Sequence, residues 1–482
     1  MSTDGPPRLR SAAGRWLLLT TILGSSVASL DATVVNIALP RIGESLGTDV
    51  AGLQWTLNGY TLTLASFILL GGSLGDKLGR RKVFVWGAVG FGVASVLCGL
   101  AVDIEMLVAA RVLQGVAGAM LTPGSLALIS SSIDERDQGA AIGLWSGFGG
   151  IAGALGPFLG GWLIDVAGWQ SIFFLNVPLV AVVVYVALRH VPESVDPAAA
   201  AKLDVPGALL VALALGTLTF GLIDGVPLLT VAGVLLLALF VVIELRSDHP
   251  LVPPSLFASR VFTAANLVTL AVYAALGGVF FLLVLQLQLV AGYSPLASGV
   301  ATVPITVIML VLSAPAGRWA QVNGPRIPMT VGPVLAAAGL VLMLRIGPDS
   351  AYLPDVLPGV VVFGLGLAVL VAPLTGAVLG AVPASEAGIA SGVNNAVART
   401  AQLLAVAALP GLAGLSGALD DPVSFDAGFA TAMWLCVGLL LAGALIAGLL
   451  LRPVRRAPDL DSVECLPQCA VAGPALAPKR VS

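Results

Sequence analysis

Residues 72–81 read Gly72-Ser-Leu-Gly-Asp76-Lys-Leu-Gly79-Arg80-Arg81, a glycine-rich segment between two long apolar runs. A second copy begins 245 residues later and reads Gly317-Arg-Trp-Ala-Gln321-Val-Asn-Gly324-Pro-Arg326. In both copies the two outer glycines are seven residues apart, a polar side chain lies four positions after the first glycine, and a basic residue lies two positions after the second. This repeat predicts that the chain is built from two related halves.

The composition of the chain excludes a soluble globular protein. Of its 482 residues, 58% are hydrophobic and only 10% are charged, whereas ordinary globular domains are about 25% charged. A soluble fold cannot bury that much apolar surface, but a lipid bilayer can cover it. The sequence therefore predicts an all-α integral membrane protein.

Fourteen apolar runs are long enough to cross a bilayer, which takes about 20 residues each. They cover 16–39, 52–73, 83–102, 107–130, 138–163, 170–190, 205–223, 227–245, 263–290, 297–317, 327–346, 355–381, 394–413 and 427–451. An even number of crossings places both termini on one side, and the loops on that side carry most of the basic residues. Because basic loops stay in the cytoplasm, we expect both termini to be cytoplasmic.

The repeat and the spans together predict the domain organisation. Without the seventh and eighth spans, roughly 45 residues, the two copies are about 200 residues apart, the length of a six-helix unit. The predicted parts are a cytoplasmic amino terminus (1–15), a six-helix bundle (16–195), a two-helix insert with its linkers (196–260), a second six-helix bundle (261–452) and a disordered cytoplasmic tail (453–482).

Asp31 lies deep in the first predicted span, where an ionised carboxylate costs about 2.5–3.5 kcal/mol. Burial favours the protonated form of a carboxyl group and a nearby cation favours its ionised form, so such a residue can bind and release protons. Arg111 in the fourth span is the candidate cation, because both residues fall in the outer half of the membrane. The alternatives are a structural acid satisfied by its neighbours and an arginine that extends to the interface.

A second candidate site is the loop that contains Gly72, Asp76, Gly79, Arg80 and Arg81. Part of its basic charge is the ordinary excess of cations in cytoplasmic loops. The acid placed between the glycines indicates, in addition, a salt-bridged latch that breaks and reforms as the two halves move.

The fifth predicted span and a set of polar or aromatic side chains are further candidates. The small residues of this span favour close helix packing, and its proline permits a kink. The members are Gly143, Gly156, Pro157, Gly160 and Gly161. An amphipathic substrate cavity is predicted from Asn36, Gln54, Asn58, Gln114, Trp145, Tyr273, Phe280, Gln288, Asn395 and Arg399, with helix packing as the alternative and, for Arg399, extension to the interface.

The sequence contains no signature of catalysis or of cofactor binding. His190 and His249 are its two histidines, and it holds no nucleotide-binding loop, which argues against an enzyme and against an ATP-driven pump. Cys465 and Cys469 form a single C-x3-C pair without further ligands, so we expect no metal site.

Several segments together resemble the major facilitator superfamily, and specifically its fourteen-helix drug:proton antiporters of the EmrB/QacA type. They are Leu30–Pro40, Gly72–Arg81, Arg111 with Gln114 and Gly115, Gly156–Gly161, and Phe173–Pro178. The resemblance covers residues 15–452 and implies the major facilitator fold, proton transfer at the Arg111 motif and antiport from the Gly156–Gly161 motif.

Three departures from this family pattern affect what it implies. Ala152 stands where the fifth-span motif usually has glycine, which is a mild change. Asn58 stands where relatives that export divalent cations have an acid, which argues against such substrates. Gln321 replaces the acid of the second loop copy, so any latch is asymmetric.

These observations predict a secondary transporter that exports amphipathic small molecules, such as drugs or antibiotics, in exchange for protons by alternating access. Its expected partners are the substrate, protons and the bilayer, with no nucleic acid and no cofactor, and it would act as a monomer in the bacterial cytoplasmic (inner) membrane. One alternative is a dedicated exporter of a single endogenous metabolite or self-made antibiotic. The other is a non-transporting receptor or scaffold, which gives no reason for Asp31.

Overall fold

The computed structural model describes residues 8–195, 203–247, 250–383, 386–415, 417, 419 and 421–451. Within these ranges the chain forms fifteen α-helices and no strand. The first seven are α1 (Ala12–Leu46), α2 (Val50–Leu78), α3 (Arg80–Gly99), α4 (Ile104–Ser132), α5 (Glu135–Ala167), α6 (Ser171–Phe174) and α7 (Asn176–His190). The others are α8 (Val205–Ile223), α9 (Pro227–Arg246), α10 (Arg260–Leu285), α11 (Pro295–Asn323), α12 (Arg326–Met343), α13 (Leu357–Gly380), α14 (Ala387–Leu412) and α15 (Pro422–Leu450).

Twelve helical segments of the described chain are long and apolar enough to span a membrane, so the predicted count of fourteen is not confirmed. Every predicted span overlaps a helix, and the two helices that fall short are α5 and α14. Among the described residues of α5, the apolar stretch is Leu155–Ala167. In α14, Asn394, Asn395, Arg399 and Gln402 lower the hydropathy of the helix.

Local capping explains why several helices are longer than the apolar runs. The side chain of Ser11 accepts a hydrogen bond from the Gly14 N–H at the start of α1. The same helix continues past Pro40 and ends at Gly47, whose φ of 61° lies in the left-handed region that glycine adopts without strain. Apolar runs therefore locate the helices, whereas capping residues determine where the helices end.

The helices form two bundles with a pair of helices between them. Helices α1–α7 pack against one another, α10–α15 do the same, and α8 packs against α9, α2 and α14. The closest approach in the first bundle is between α2 and α4, where a Cβ atom at Gly115 would collide with the Tyr60 carbonyl oxygen. The Thr63 hydroxyl also donates to the Val112 carbonyl oxygen at 2.9 Å. This tight contact brings Arg111 against α2.

The two bundles are joined at the end of the molecule opposite to the first and last described residues, here called the termini. The amide nitrogen of Gln54 in α2 donates to the carbonyl oxygens of Val406 and Ala407 in α14, at 2.6 and 3.0 Å. The Gln288 amide donates to the Ile37 carbonyl oxygen of α1 at 3.0 Å. Side-chain amides thus connect each bundle to the backbone of the other at this end.

Helices α5 and α11 touch at this end and are apart at the other. A Cβ atom at Gly161 would lie 2.5 Å from the Leu296 Cα atom, so the two backbones are in direct contact there. Nearer the termini, Cβ atoms at Gly139, Gly143 and Gly153 would meet no atom within 4 Å. The space between the bundles therefore opens toward the end that carries the termini.

Candidate functional site

Asp31 of α1 and Arg111 of α4 form an ion pair inside the first bundle. The Arg111 Nη1 atom lies 2.5 Å from the Asp31 Oδ2 atom, and both side chains are 1% exposed. The structure thus brings together the two residues whose depths in the sequence suggested a shared site, and Arg111 does not extend to the membrane interface. The role of the pair in proton coupling stays a prediction.

Two amides complete the hydrogen bonding of the Asp31 carboxylate. Gln114 of α4 and Asn176 of α7 both donate to the Oδ1 atom, at 2.9 and 3.0 Å. Each amide also donates to the Ser95 hydroxyl of α3, at 2.9 and 3.2 Å. All of these side chains are buried, so the carboxylate is stabilised by protein groups from two other helices, α4 and α7, and the amides are held in turn by Ser95 of α3.

The Arg111 guanidinium is held by contacts that only a planar, multiply donating cation can make. Its Nη1 atom donates to the Gln114 Oε1 atom at 2.6 Å, and its Nε atom donates to the Thr56 carbonyl oxygen at 3.1 Å. It lies over the Tyr60 ring, 4.4 Å from the ring centroid, and within 5.9 Å of the Phe173 centroid. The network therefore joins α1, α2, α3, α4 and the α6–α7 segment.

Proton binding to Asp31 can cause a structural change in this network. Breaking a buried ion pair by removing one charge costs about 3–5 kcal/mol, because the remaining charge is left uncompensated. Protonation of Asp31 does this to Arg111, so the protonated state favours any arrangement in which the guanidinium finds other acceptors or water. Helices α1 and α4 would move relative to each other in response.

The glycine-rich loop forms the predicted ion pair, and an additional acid takes part. The Arg80 Nε atom at the start of α3 lies 2.8 Å from the Asp76 Oδ1 atom at the end of α2. The Arg81 Nε atom lies 3.6 Å from an oxygen of Glu193, a residue of the segment after α7. Gly79 has a φ of 113°, and a Cβ atom there would lie 2.7 Å from the Glu193 carboxylate, so glycine is required at this turn.

Glu193 caps the start of α3 from a distant part of the chain. Its two carboxylate oxygens accept hydrogen bonds from the backbone N–H groups of Arg81 and Lys82, at 3.0 and 3.2 Å. The first turn of a helix has N–H groups without intrahelical partners, and an acid there also interacts favourably with the helix dipole. The loop is thus tied to the segment after α7 as well as to itself.

We expect Glu193→Ala to lower the stability of the protein by about 1 kcal/mol, the usual cost of losing a capping side chain. The measurement is the midpoint of thermal unfolding of the purified protein in detergent. Glu44→Ala is the matched control, because Glu44 pairs with Arg41 in an exposed position, with side chains 71% and 52% accessible. Equal melting temperatures for both variants would contradict the capping role.

The small residues of α5 mostly serve contacts with other helices. A Cβ atom at Gly156 would collide with Thr33 of α1, and one at Gly160 would lie 2.7 Å from a methyl carbon of Val34. Gly161 contacts α11, as described above. Gly143 faces open space. Three of the four glycines therefore bring α5 close to its neighbours, and whether the segment also determines antiport stays a prediction.

Three of the predicted cavity residues instead make protein contacts in this conformation. Gln54 and Gln288 join the two bundles, and Gln114 belongs to the Asp31 network. An amide buried in a membrane protein has to satisfy its donors, and backbone carbonyls or a neighbouring carboxylate do so here. The prediction that these amides line a substrate cavity stays a prediction.

The other predicted cavity residues are dispersed through both bundles. The Trp145 Nε1 atom donates to the Ser25 hydroxyl at 2.8 Å, and Phe280 packs edge-on against Phe363. Asn36 and Asn58 are on α1 and α2, Tyr273 is on α10, and Asn395 and Arg399 are on α14. Both amide atoms of Asn58 are buried without a hydrogen-bond partner in the described structure.

A cavity of about 650 Å³ lies elsewhere, at the end of the second bundle that faces the termini. It lies between the start of α10, the second loop copy and the ends of α13 and α15. Its lining includes Arg260, Gly317, Gln321, Gly324 and Pro373. None of the predicted cavity residues lines it.

Several residues of the site were not identified from the sequence. Ser95, Asn176, Tyr60 and Glu193 are unremarkable singly, because a serine, an amide, a tyrosine and an acid after a helix all have common structural roles. Asn176 did lie in a segment that resembled the family, Phe173–Pro178, but nothing in the segment indicated its partner. Their significance comes from contacts between residues far apart in the chain.

The chain matches the description "Major Facilitator Superfamily" over residues 21–406. It is 36% identical over 432 residues to the "Probable actinorhodin transporter" of Streptomyces coelicolor, which covers 84% of this chain and 75% of that one. It is 35% identical to the "Puromycin resistance protein pur8" of Streptomyces alboniger, over 92% of this chain and 93% of that one. It is also 35% identical to the "Multidrug resistance protein Stp" of Mycobacterium tuberculosis, over 79% and 72%.

Solved structures are similar in fold. A POT family transporter in complex with 5-aminolevulinic acid has a TM-score of 0.69 at 15% identity, over 90% of this chain and 97% of that one. A D-xylose-proton symporter has a TM-score of 0.66 at 14% identity, over 91% and 98%. At these identities the similarity concerns the arrangement of the helices alone.

Proposed function

Because this chain belongs to the Major Facilitator Superfamily, we propose that it exports amphipathic small molecules in exchange for protons by alternating access. It is a transporter and not an enzyme. The observation that carries the proton-coupled part of this proposal is the fully buried Asp31–Arg111 pair. The names of the relatives, which include a multidrug resistance protein and antibiotic resistance proteins, support drugs or antibiotics as the exported class.

The proposed topology has fourteen crossings of the bacterial inner membrane with both termini in the cytoplasm. The twelve spans that meet the length and hydropathy requirements are completed by α5 and α14, while α6 and α7 together make one crossing. Both additional helices exceed the about 20 residues that a crossing takes. The six-helix bundles would then comprise 16–195 and 261–452, the insert 196–260, and the protein would act as a monomer.

With this orientation the conformation described above is inward-open. The amide contacts of Gln54 and Gln288 would close the outer end, and the space beside the first half of α5 would admit substrate from the cytoplasm. In this conformation Asp31 is paired with Arg111, so substrate would bind from the cytoplasm after the proton has left Asp31. Substrate export would follow the change to the outward-open state. A proton that then binds Asp31 from the outside would release Arg111 and favour the return to the inward-open state. Each charge that moves through a potential of 100 mV contributes about 2.3 kcal/mol, enough to drive useful accumulation.

The glycine-rich loop would act as the latch of the inner gate. The Asp76–Arg80 pair and the Glu193 contacts with Arg81 hold α2, α3 and the segment after α7 together at the cytoplasmic end. Partly exposed ion pairs contribute little stability each, so they can exchange partners at small cost during a conformational change. This supports a role in gating more than a role in holding the fold together.

A narrower function is the second candidate, favoured by relatives whose printed names refer to single antibiotics. In that case the protein would export one endogenous metabolite or self-made antibiotic with the same proton-coupled mechanism. The Asp31–Arg111 pair fits both versions equally well, because it concerns the coupling ion and not the substrate.

The test is an export assay in cells that express the protein, using a panel of cationic, neutral and anionic amphipathic dyes together with several antibiotics. We expect export that stops when a protonophore dissipates the proton gradient, with a clear fall in intracellular dye relative to cells with an empty vector. Several exported compounds of different structure would support the broad function, and one would support the narrow function. Export that persists in the protonophore would contradict proton coupling.

A further inference from the structure

We propose that the substrate is an organic anion and that Arg399 of α14 binds its acidic group. This inference rests on the export function proposed above, and it specifies the class of molecule that the transporter carries.

The charges inside the membrane-spanning helices leave one cation without a counterion. Among the described residues, Asp31, Arg111 and Arg399 are the charged side chains that lie more than five residues from both ends of their helix. Asp31 and Arg111 neutralise each other. No described acid forms an ion pair with Arg399, whose guanidinium makes one long hydrogen bond, 3.4 Å to the Gln402 Oε1 atom. The interior of the transporter therefore has a net positive charge at Arg399.

Arg399 lies near the middle of α14. It is twelve residues from the start of α14 and thirteen from its end, or about 18 Å from either end at 1.5 Å per residue. An arginine side chain is much shorter than this distance, so Arg399 cannot reach either end of α14. A cation at this depth has to face a partner or a water-filled space.

Arg399 belongs to a polar stripe that runs along one face of α14. Ser391, Asn395, Arg399 and Gln402 are spaced by four, four and three residues, which places them on one face. Asn395 is exposed and Arg399 and Gln402 are partly exposed. Since a stripe of this polarity in contact with lipid would be very costly, it faces the space between the bundles.

The antiparallel packing of α2 and α14 determines what lies opposite Arg399. Gln54 bonds to Val406, and a Cβ atom at Gly392 would touch Leu69. Halfway between these contacts, the middle of α2 near Tyr60 lies at the depth of Arg399.

This combination fits an aromatic or apolar acid and disfavours a cationic drug. A guanidinium forms short, charge-assisted hydrogen bonds with carboxylate, sulfonate or phenolate oxygens. A cationic substrate would be repelled by Arg399 and would find no free carboxylate, since Asp31 is buried in its own network. Outward movement of an anion and inward movement of a proton are both favoured by an inside-negative potential.

The test measures ligand binding to the purified full-length protein by fluorescence, with probes of similar shape and opposite charge. Fluorescein and rhodamine 123 share a xanthene ring system, but the first is an anion and the second a cation. A second anionic probe is 8-anilinonaphthalene-1-sulfonate. The variants are Arg399→Gln, Arg399→Lys and, as a control that removes a cation from an exposed position at the end of α11, Arg318→Gln.

We expect the wild type to bind at least one anionic probe more tightly than rhodamine 123. Arg399→Gln should weaken anion binding at least tenfold without weakening rhodamine 123 binding, Arg399→Lys should retain part of it, and Arg318→Gln should behave as wild type. Retained rhodamine 123 binding or an unchanged elution volume shows that the glutamine variant is folded. Tighter binding of rhodamine 123 by the wild type, equal anion binding by wild type and Arg399→Gln, or no anion binding would overturn the proposal.

A separate result would identify a failure of the export mechanism alone. If Asp31→Asn still binds the anionic probe and the wild type exports it in a manner insensitive to protonophore, Arg399 defines the substrate class and the proton coupling is wrong. If export is protonophore-sensitive but anion binding does not depend on Arg399, the proton coupling stands and the proposed substrate class is wrong.

Discussion

Replacing Asp31 by asparagine is expected to abolish proton-driven transport, with a loss of at least about a hundredfold, while the protein remains folded. Asparagine has nearly the shape of aspartate and keeps one oxygen acceptor for Gln114 or Asn176, so much of the network can persist. It cannot take up a proton, and it leaves Arg111 without its counterion. Since breaking a buried pair costs about 3–5 kcal/mol, the variant should also melt at a lower temperature.

The measurement is dye transport into proteoliposomes driven by an imposed pH gradient, compared with exchange of labelled for unlabelled dye without a gradient. Exchange needs only substrate binding and movement of the bundles, so it reports on a folded transporter. Glu44→Gln is the control, because Glu44 is an acid on the same helix in an exposed ion pair. A response of Asp31→Asn to the pH gradient equal to that of wild type would remove Asp31 from the coupling mechanism.

Replacing Gly161 by valine is expected to block the conformation in which α5 and α11 touch. A Cβ atom at this position would lie 2.5 Å from the Leu296 Cα atom and 2.7 Å from the Pro295 carbonyl oxygen, and backbone atoms cannot yield as a flexible side chain does. Overpacking of this kind costs about 1–3 kcal/mol. At 1.4 kcal/mol for each factor of ten, that shifts the equilibrium between the two conformations by up to about a hundredfold. Transport should fall because one state of the cycle is depleted.

The shift is measured as the reaction rate of a single cysteine, Ala407→Cys, with a membrane-impermeant thiol reagent, after the four native cysteines are replaced. Ala407 is 1% exposed and its carbonyl accepts from Gln54, so the cysteine is protected while the bundles are joined. We expect Gly161→Val to increase labelling at least tenfold. Gly143→Val is the matched control on the same helix, since a Cβ atom there meets nothing within 4 Å. Equal labelling of both valine variants would contradict the role of the α5–α11 contact.

Much of the helical architecture was predictable because hydropathy is a local property of the sequence. Each apolar run overlaps a helix, and α1–α7 and α10–α15 pack mainly within their own sets. Membrane spans are harder to predict where polar residues interrupt the apolar run. In α14, Asn394, Asn395 and Arg399 lower the hydropathy of a helix that packs against other helices. High hydropathy is required of a helix that faces lipid, but not of a helix whose surface is covered by other helices or by water.

The candidate site was predictable only in part. Asp31 and Arg111 could each be identified from the sequence, because charged side chains inside apolar runs are rare and energetically costly. Ser95, Asn176 and Glu193 could not be identified in this way. Neutral polar residues, and acids that follow a helix, are common and carry no comparable energetic cost. Likewise, three predicted cavity amides proved to be engaged in contacts, because an amide in a membrane helix has the same appearance in a sequence whether it bonds to a substrate or to a carbonyl.

The amino-acid sequence alone determined that this is a membrane protein with an acid and an arginine at similar depth, because apolar content and helix length are read along the chain. Only the tertiary structure decided which groups meet: Asp31 with Arg111 across 80 residues, Asp31 with Asn176 across 145, and Arg399 with no acid in the described chain. Whether a charge is compensated depends on distances in space, and those arise from the packing of helices that are far apart in sequence.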